Sequence, residues 1–139
     1  MEERERIVRL WFEMWLRKKD LGITEIFTGD AVYAESWGPE YHGAEKIRHW
    51  FEEWNTRGTV LVWDIRQFFH RGDQTAVEWV FRNAMDDGRE ERFEGITLIC
   101  WTQEGRICAL KEFGCNENRY DPYREGPEPR FREERAMWF

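Results

Sequence analysis

The chain is poor in three features that mark large classes of protein. Its 139 residues hold no apolar run near the ~20 residues of a membrane span. Only three cysteines are present, without the C-x-x-C spacing of a zinc site, so we expect no disulfide framework, no metal and a cytoplasmic location. Basic residues number 21 against 28 acidic ones, a net charge of -7, which argues against a nucleic-acid partner. We therefore expect neither nucleic acid nor membrane as a partner.

Aromatic residues are abundant instead. They make up 17% of the chain and include nine tryptophans. The apolar fraction of 41% is too high for a disordered chain. A length of 139 residues allows one domain rather than two, so the composition predicts a single domain with an aromatic core.

The first half of the chain has the periodicity of helices. Apolar residues recur at helical spacing in a first helix, and they are Ile7, Leu10, Trp11, Met14 and Trp15. A short second helix is predicted from Asp20 to Gly29. A third helix follows Gly43. Between the last two, residues 31–37 predict a strand, which Gly38-Pro39 interrupts.

The second half has the pattern of strands separated by short turns. Four strands are predicted at about 59–70, 74–84, 90–102 and 106–115. Short turns join antiparallel neighbours, so these strands form a meander. Helices placed before an antiparallel sheet indicate an α+β domain with the order α-α-β-α-β-β-β-β. We expect this domain to span residues 1–116.

Residues 117–139 differ in composition, because they are highly charged and hold three of the four prolines. We expect a tail with little structure of its own. It ends in Met137-Trp138-Phe139, and these apolar residues can dock either on the domain or on a second subunit.

Turn lengths predict which side chains face one another across the sheet. A two-residue turn before the last strand places Thr97 opposite Glu112. A four-residue turn at 86–89 places Glu78 opposite Thr97. These three residues then form a row on one face, although a one-residue slip in either turn moves half of it to the other face. For the first strand of the meander, the sequence does not decide which set of side chains faces the helices.

Three segments resemble one known superfamily. They are Gly-Asp-Ala-Val-Tyr-Ala-Glu-Ser-Trp-Gly, then Tyr-His-Gly with a helix containing Ile-Arg-His-Trp-Phe, and a final Glu-Gly-Arg-Ile-Cys-Ala-Leu-Lys-Glu-Phe. With the Trp/Phe-rich first helix, they resemble the nuclear transport factor 2-like superfamily in its SnoaL-like and ketosteroid-isomerase-like branch, from residue 5 to about 116. The resemblance implies a cone: a curved antiparallel or mixed sheet wrapped around three N-terminal helices, with an apolar pocket at the wide end.

The resemblance also implies site residues. The isomerases of this branch carry a general-base carboxylate at the end of an Asp-Ala-x-x-x-acid pattern, which falls here on Glu35, with Tyr33 and Trp37 on the same face. Their two oxyanion donors fall on Trp11 and Thr97. Neither donor type is retained, so steroid isomerisation by that mechanism is not expected.

Apolar pocket positions of those isomerases fall on charged residues here, namely Glu78, Arg82 and Glu112. Carboxyl groups crowded into an apolar pocket have raised pKa values suited to acid–base catalysis. Arg82 can hold an anionic or carbonyl group of a ligand. The alternative is an ordinary ion pair between Glu78 and Arg82 on the outer face of the sheet. His42, after the first strand, is expected near the pocket mouth, where it can touch a ligand.

These residues predict a pocket for a small, largely apolar molecule. One hypothesis is an isomerase, cyclase or hydrolase without a cofactor, in which Glu35 is the general base and Tyr33 an orienting donor. The other is a non-catalytic module that binds a small molecule or a protein. A homodimer through the sheet face is also expected, and Trp63 and Trp79 are candidates for its outer surface.

Overall fold

The structure is a computed structural model that describes residues 1–132. The helices are α1 (Glu2–Arg17), α2 (Ile23–Ile26) and α3 (Ala44–Trp54). The strands are β1 (Phe27–Ala34), β2 (Glu40–His42), β3 (Gly58–Arg71), β4 (Gln74–Met85), β5 (Glu90–Trp101) and β6 (Ile107–Asn116). No helix within residues 1–132 has the length and apolar character needed to cross a membrane.

The six strands form one mixed sheet in the order β2-β1-β6-β5-β4-β3. β1 runs parallel to β6, and all other neighbours are antiparallel. The predicted α+β fold, with a curved sheet around three helices and a four-strand meander, is therefore confirmed. Three local predictions are wrong, because the second helix ends at Ile26 instead of Gly29, the first strand covers Phe27–Ala34 instead of residues 31–37, and residues 40–42 form β2 instead of a loop.

Aromatic packing fixes the helices on the concave face of the sheet. The buried residues of α1 are Ile7, Val8, Trp11, Phe12, Met14 and Trp15. Phe12 stacks on Trp63 of β3, with ring centroids 3.8 Å apart. The Asp20 carboxylate accepts hydrogen bonds from the backbone N–H groups of Gly22 and Ile23, both over 2.8 Å, and so stabilises the turn that precedes α2. The helices thereby cover the inner side of the sheet.

One predicted register is confirmed and the other is wrong. Thr97 of β5 lies opposite Glu112 of β6, as the two-residue turn predicts. In β4, however, Val77 and not Glu78 lies opposite Thr97. Because side chains alternate along a strand, this one-residue difference moves Glu78 and Arg82 to the outer face.

The cause of the slip is the turn between β4 and β5. The backbone N–H of Met85 donates to the carbonyl of Arg89 over 2.7 Å, which closes a loop of three residues where four were expected. Gly88 makes this loop possible with a φ of 94°, a value that glycine adopts without strain.

The same register turns two tryptophans inward. Trp63 and Trp79, the candidates for the outer face, are 7% and 2% exposed and lie on the concave face. On the outer face, Glu78 Oε1 accepts a 2.6 Å hydrogen bond from Gln67 Nε2, and Arg66 lies 3.8 Å from Glu78 Oε2. The expectation that Glu78 belongs to an inner row is therefore wrong.

The segment after β6 has no helix or strand within residues 117–132. Arg119 joins it to β5 by an ion pair of 2.5 Å with Glu94. The division of the chain at residue 116 stays a prediction. The docking predicted for Met137-Trp138-Phe139 lies outside the described residues.

Candidate functional site

A cavity of about 360 Å³ lies between the helices and the concave face of the sheet. Its volume is in the range of small-molecule sites. The wall is mainly aromatic, and its aromatic residues are Trp15, Tyr33, Trp37, Tyr41, Trp50, Trp54, Trp63, Trp79, Phe81 and Phe93. Trp50 of α3 stacks on Tyr41 of β2 with centroids 4.2 Å apart and an interplanar angle of 13°. The rings leave a space between them rather than filling it, and charged side chains also border that space.

Glu35 enters this cavity from the turn that follows β1. The Tyr41 hydroxyl donates a hydrogen bond of 2.9 Å to Glu35 Oε2. Burial raises the pKa of Glu35, and hydrogen bonds from Tyr41 and Trp37 partly oppose the rise. The carboxylate is thus held in place and is a stronger base than a carboxylate in water.

Glu112 enters the cavity from the inner face of β6. Burial, followed by the negative charge of Glu35, raises the pKa of Glu112 to about 8, while a hydrogen bond with Tyr33 opposes the rise. Burial also raises the pKa of Tyr33 far above its usual value, so its hydroxyl stays protonated. Trp11 Nε1 donates to that hydroxyl over 3.4 Å. Glu112 therefore holds a proton at neutral pH.

Glu35 and Glu112 form one titrating unit, because each carboxylate disfavours the ionisation of the other. With a pKa of about 8, Glu112 is the residue that holds the proton at neutral pH, and the negative charge of Glu35 contributes to that raised pKa. Such a pair supplies a proton acceptor and a proton donor in the same apolar cavity.

Four residues that the sequence analysis assigned to the site lie in the cavity wall, and they are Tyr33, Glu35, Trp37 and Glu112. Glu78 and Arg82 do not, because the register of β4 places both on the outer face. An anion-binding role for Arg82 inside the cavity is therefore wrong.

Three further predicted residues lie outside the wall. Trp11 is 1% exposed, and its N–H is directed to Tyr33. The Thr97 hydroxyl accepts a 2.8 Å hydrogen bond from Trp79 Nε1 within the core. His42 is exposed on β2, with Nε2 3.1 Å from Glu40 Oε1, and not at the mouth of the cavity.

Sequence reasoning missed Tyr41 and Glu91 in the wall. Asn83 lies opposite Glu91, and its Nδ2 donates to Glu91 Oε1 over 3.2 Å. Glycine in the Asp86-Asp87-Gly88-Arg89 turn was the available signal for a three-residue loop, and that loop turns Asn83 and Glu91 inward. Tyr41 had no comparable signal, because β2 has only three residues.

The acidic side chains of the site do not form a metal centre. Within the described part of the chain, no group of three or more His, Cys, Asp or Glu side chains is arranged to hold a metal ion.

Three helices, a mixed six-stranded sheet and the cavity between them define an α+β protein of the nuclear transport factor 2-like class. Within this class, the family model of the SnoaL-like domain matches residues 8–110. The chain therefore belongs to the SnoaL-like domain family. No curated protein matches it significantly.

Solved structures with this fold are similar at low sequence identity. An NTF2-like protein of unknown function from Burkholderia pseudomallei has a TM-score of 0.68 at 15% identity, over 83% of this chain and 92% of that chain. An LEH-like epoxide hydrolase from M. tuberculosis has a TM-score of 0.68 at 13% identity, over 82% and 84%. A Catenulispora acidiphila protein with a ketosteroid isomerase-like fold, solved in complex with trimethylamine, has a TM-score of 0.65 at 19% identity, over 77% and 83%.

Proposed function

We propose that the cavity binds a small, largely apolar molecule and that Glu35 acts on it as a general base in a reaction of the isomerase, cyclase or hydrolase type. One observation carries the proposal: Glu35 and Glu112 lie in the same aromatic cavity, and both have raised pKa values. Fold relatives include an epoxide hydrolase and a protein solved with a small amine, so the fold accommodates small ligands.

Each residue of the pair has its own role. Glu35 accepts a proton from the substrate, and Tyr41 keeps its carboxylate aligned through the 2.9 Å hydrogen bond. Glu112 stays protonated at neutral pH, so the pair concentrates its one negative charge on the base. Tyr33 acts through Glu112, since its buried hydroxyl contacts that carboxyl, and it is therefore a positioning residue.

Deuterium exchange tests this function even though the natural substrate is not identified. The protein is incubated in D₂O with a panel of cyclic ketones and enones, and NMR follows exchange next to the carbonyl group. We expect exchange with the wild type and a loss of at least about 100-fold in Glu35→Gln, which is the usual contribution of a general base. Glu78→Gln is the matched control, because it removes a carboxylate from the outer face. Equal rates in Glu35→Gln and the wild type would remove Glu35 from the mechanism.

A second function, non-catalytic binding, is favoured because the polar groups of Trp11 and Thr97 already have hydrogen-bond partners. Both are occupied in the core and offer no hydrogen bond to an oxyanion in the cavity. Compounds that bind tightly to the wild type but show no deuterium exchange in its presence would support a binding protein over an enzyme.

We also propose a homodimer through the outer sheet face. Ile96 and Phe113 are register partners there and are 40% and 49% exposed, and Phe69 is 54% exposed. Light scattering of the full chain should give twice the monomer mass, and Phe113→Glu should give the monomer. A wild-type monomer at high concentration would contradict the dimer. The cytoplasmic location stays a prediction.

A further inference from the structure

The carboxyl groups of the cavity make no ion pair with a basic side chain of the described residues. Glu35, Glu91 and Glu112 all reach the wall, and none makes an ion pair with Lys or Arg among residues 1–132. Their hydrogen-bond partners are neutral: Tyr41 and Trp37 for Glu35, Asn83 for Glu91 and Tyr33 for Glu112. A carboxylate partly removed from water is normally paired with a cation, and no ion pair fills that role for these three.

The two arginines in the wall are engaged elsewhere. Arg57 Nε lies 2.9 Å from Glu53 Oε2, and Arg89 Nε lies 2.8 Å from Asp87 Oδ2. Both acidic partners lie outside the wall. The attraction of Arg57 lowers the pKa of Glu35 but does not offset burial, which raises it. The charge of each arginine is therefore already matched by an acidic residue outside the wall, whereas the three carboxyls have no ion-pair partner.

The rest of the wall suits an organic cation better than an inorganic one. Tryptophan and tyrosine rings attract a cation through their electron-rich faces, and Trp is the strongest in this respect. An inorganic ion such as Mg²⁺ or Zn²⁺ requires a shell of oxygen, nitrogen or sulfur ligands, which aromatic carbon does not provide. The described residues also contain no metal-binding cluster.

We propose that the ligand of this cavity is a small organic ammonium ion, whose charge pairs with Glu112 and Glu35 and whose apolar body packs on the tryptophan wall. This inference rests on the proposed function and names the chemical class of its ligand. Glu35 keeps its role as the base, while Glu112 becomes the counter-ion of the bound ammonium group.

Proton release is a direct consequence of this pairing. An ammonium ion beside Glu112 favours the ionised carboxylate, so binding below pH 8 expels the proton that Glu112 holds in the free protein. The groups that interact electrostatically with Glu112 are Glu35, Tyr33 and Tyr41. Both tyrosines have raised pKa values and stay neutral, so the released proton comes from the carboxyl pair.

Matched probes of different charge test the inference. One set is phenethylamine, 2-phenylethanol and phenylacetate, and a more compact set is 2-aminoindane, 2-indanol and indane-2-carboxylate. Calorimetry at pH 7, in two buffers with different heats of ionisation, gives both the affinity and the number of protons released. We expect each amine to bind at least about tenfold more tightly than its alcohol, a difference of about 1.4 kcal/mol, and to release protons. Each carboxylate should bind weakest.

Variants distinguish pairing from simple packing. Glu112→Gln and Glu35→Gln should each reduce amine affinity about tenfold and change alcohol affinity little, whereas the outer-face variant Glu78→Gln should change neither. Alcohols that bind as tightly as the amines, carboxylates that bind most tightly, or variants without effect on the amines would overturn the inference. If alcohols bind and amines do not, the ammonium inference is overturned but the proposed function stands. If no probe binds, the proposed function is overturned as well.

Discussion

The hydroxyl of Tyr41 donates a hydrogen bond of 2.9 Å to Oε2 of Glu35. A second tyrosine and glutamate lie beside it, because Tyr33 is the register partner of Tyr41 and interacts with Glu112 in the wall of the cavity. Two carboxyls, each next to a tyrosine, thus meet in a cavity with aromatic walls. The hydrogen bond from Tyr41 fixes the position of the Glu35 carboxylate, and burial raises the pKa values of both carboxyls.

Tyr41→Phe should raise the pKa of Glu35 further. The lost hydrogen bond stabilises the ionised carboxylate, so without it the proton is held more tightly. The pH profile of any activity that depends on the base should shift to higher pH, and unfolding should cost about 1 kcal/mol less. Denaturant melts and a pH–rate series measure the two effects. A profile unchanged in Tyr41→Phe would contradict the assigned hydrogen bond.

Glu112 should make the protein less stable as the pH rises from about 4.5 to 8. In this window Glu112 keeps its proton in the folded protein but has lost it in the unfolded chain. Because the folded state binds more protons, the free energy of unfolding decreases as the pH rises, until Glu112 also ionises in the folded protein. The stability difference between wild type and Glu112→Gln should change by up to about 1.4 kcal/mol per pH unit. Urea melts at pH 5, 6, 7 and 8 measure it, and parallel curves for the two proteins would refute the raised pKa.

Thr97→Val should destabilise the fold without altering ligand binding. The Thr97 hydroxyl accepts the 2.8 Å hydrogen bond of Trp79 Nε1, and a valine leaves that buried donor unsatisfied. A loss of about 1–3 kcal/mol is expected in denaturant melts. Thr97 does not line the cavity, so probe affinity at a temperature where the variant is folded should equal that of the wild type. A large change in affinity would place Thr97 in the site.

Gly95→Ala should destabilise the sheet by about 1–3 kcal/mol through overpacking. A Cβ at this position meets the Phe113 carbonyl oxygen of the neighbouring strand and lies 2.8 Å from the ring of Trp79. Gly29→Ala is the matched control, since a Cβ there has no atom within 4 Å. Thermal melts of both variants make the comparison, and equal stabilities would show that Trp79 does not lie against β5 as described.

The sequence was informative where a physical pattern ran over many residues. Helical spacing predicted α1, and turn residues predicted the meander within one or two residues at each strand end. The Thr97–Glu112 register followed from one two-residue turn. The prediction that Glu78 lies on the inner face is wrong because two loop lengths are compatible with the same turn sequence. Only the backbone hydrogen bond of Met85 decides between them.

The cavity itself depended on contacts between distant elements. Glu35 and Glu112 were both proposed from the sequence, but their pairing with Tyr41 and Tyr33 arises only when β2 and β6 flank β1. No local pattern marks a three-residue strand such as β2. Side chains positioned by long-range strand order are therefore the part of the site that sequence reasoning could not reach.

A carboxyl titration by NMR tests the central claim most directly. Protein labelled with ¹³C at the glutamate carboxyl groups is titrated from pH 3 to 10, and the Glu35→Gln and Glu112→Gln variants assign the two resonances. We predict that Glu112 titrates near pH 8 in the wild type and at lower pH in Glu35→Gln, because the neighbouring negative charge is gone. A Glu112 resonance that titrates near 4.5 in both proteins would show that the two carboxyls do not share an enclosed cavity.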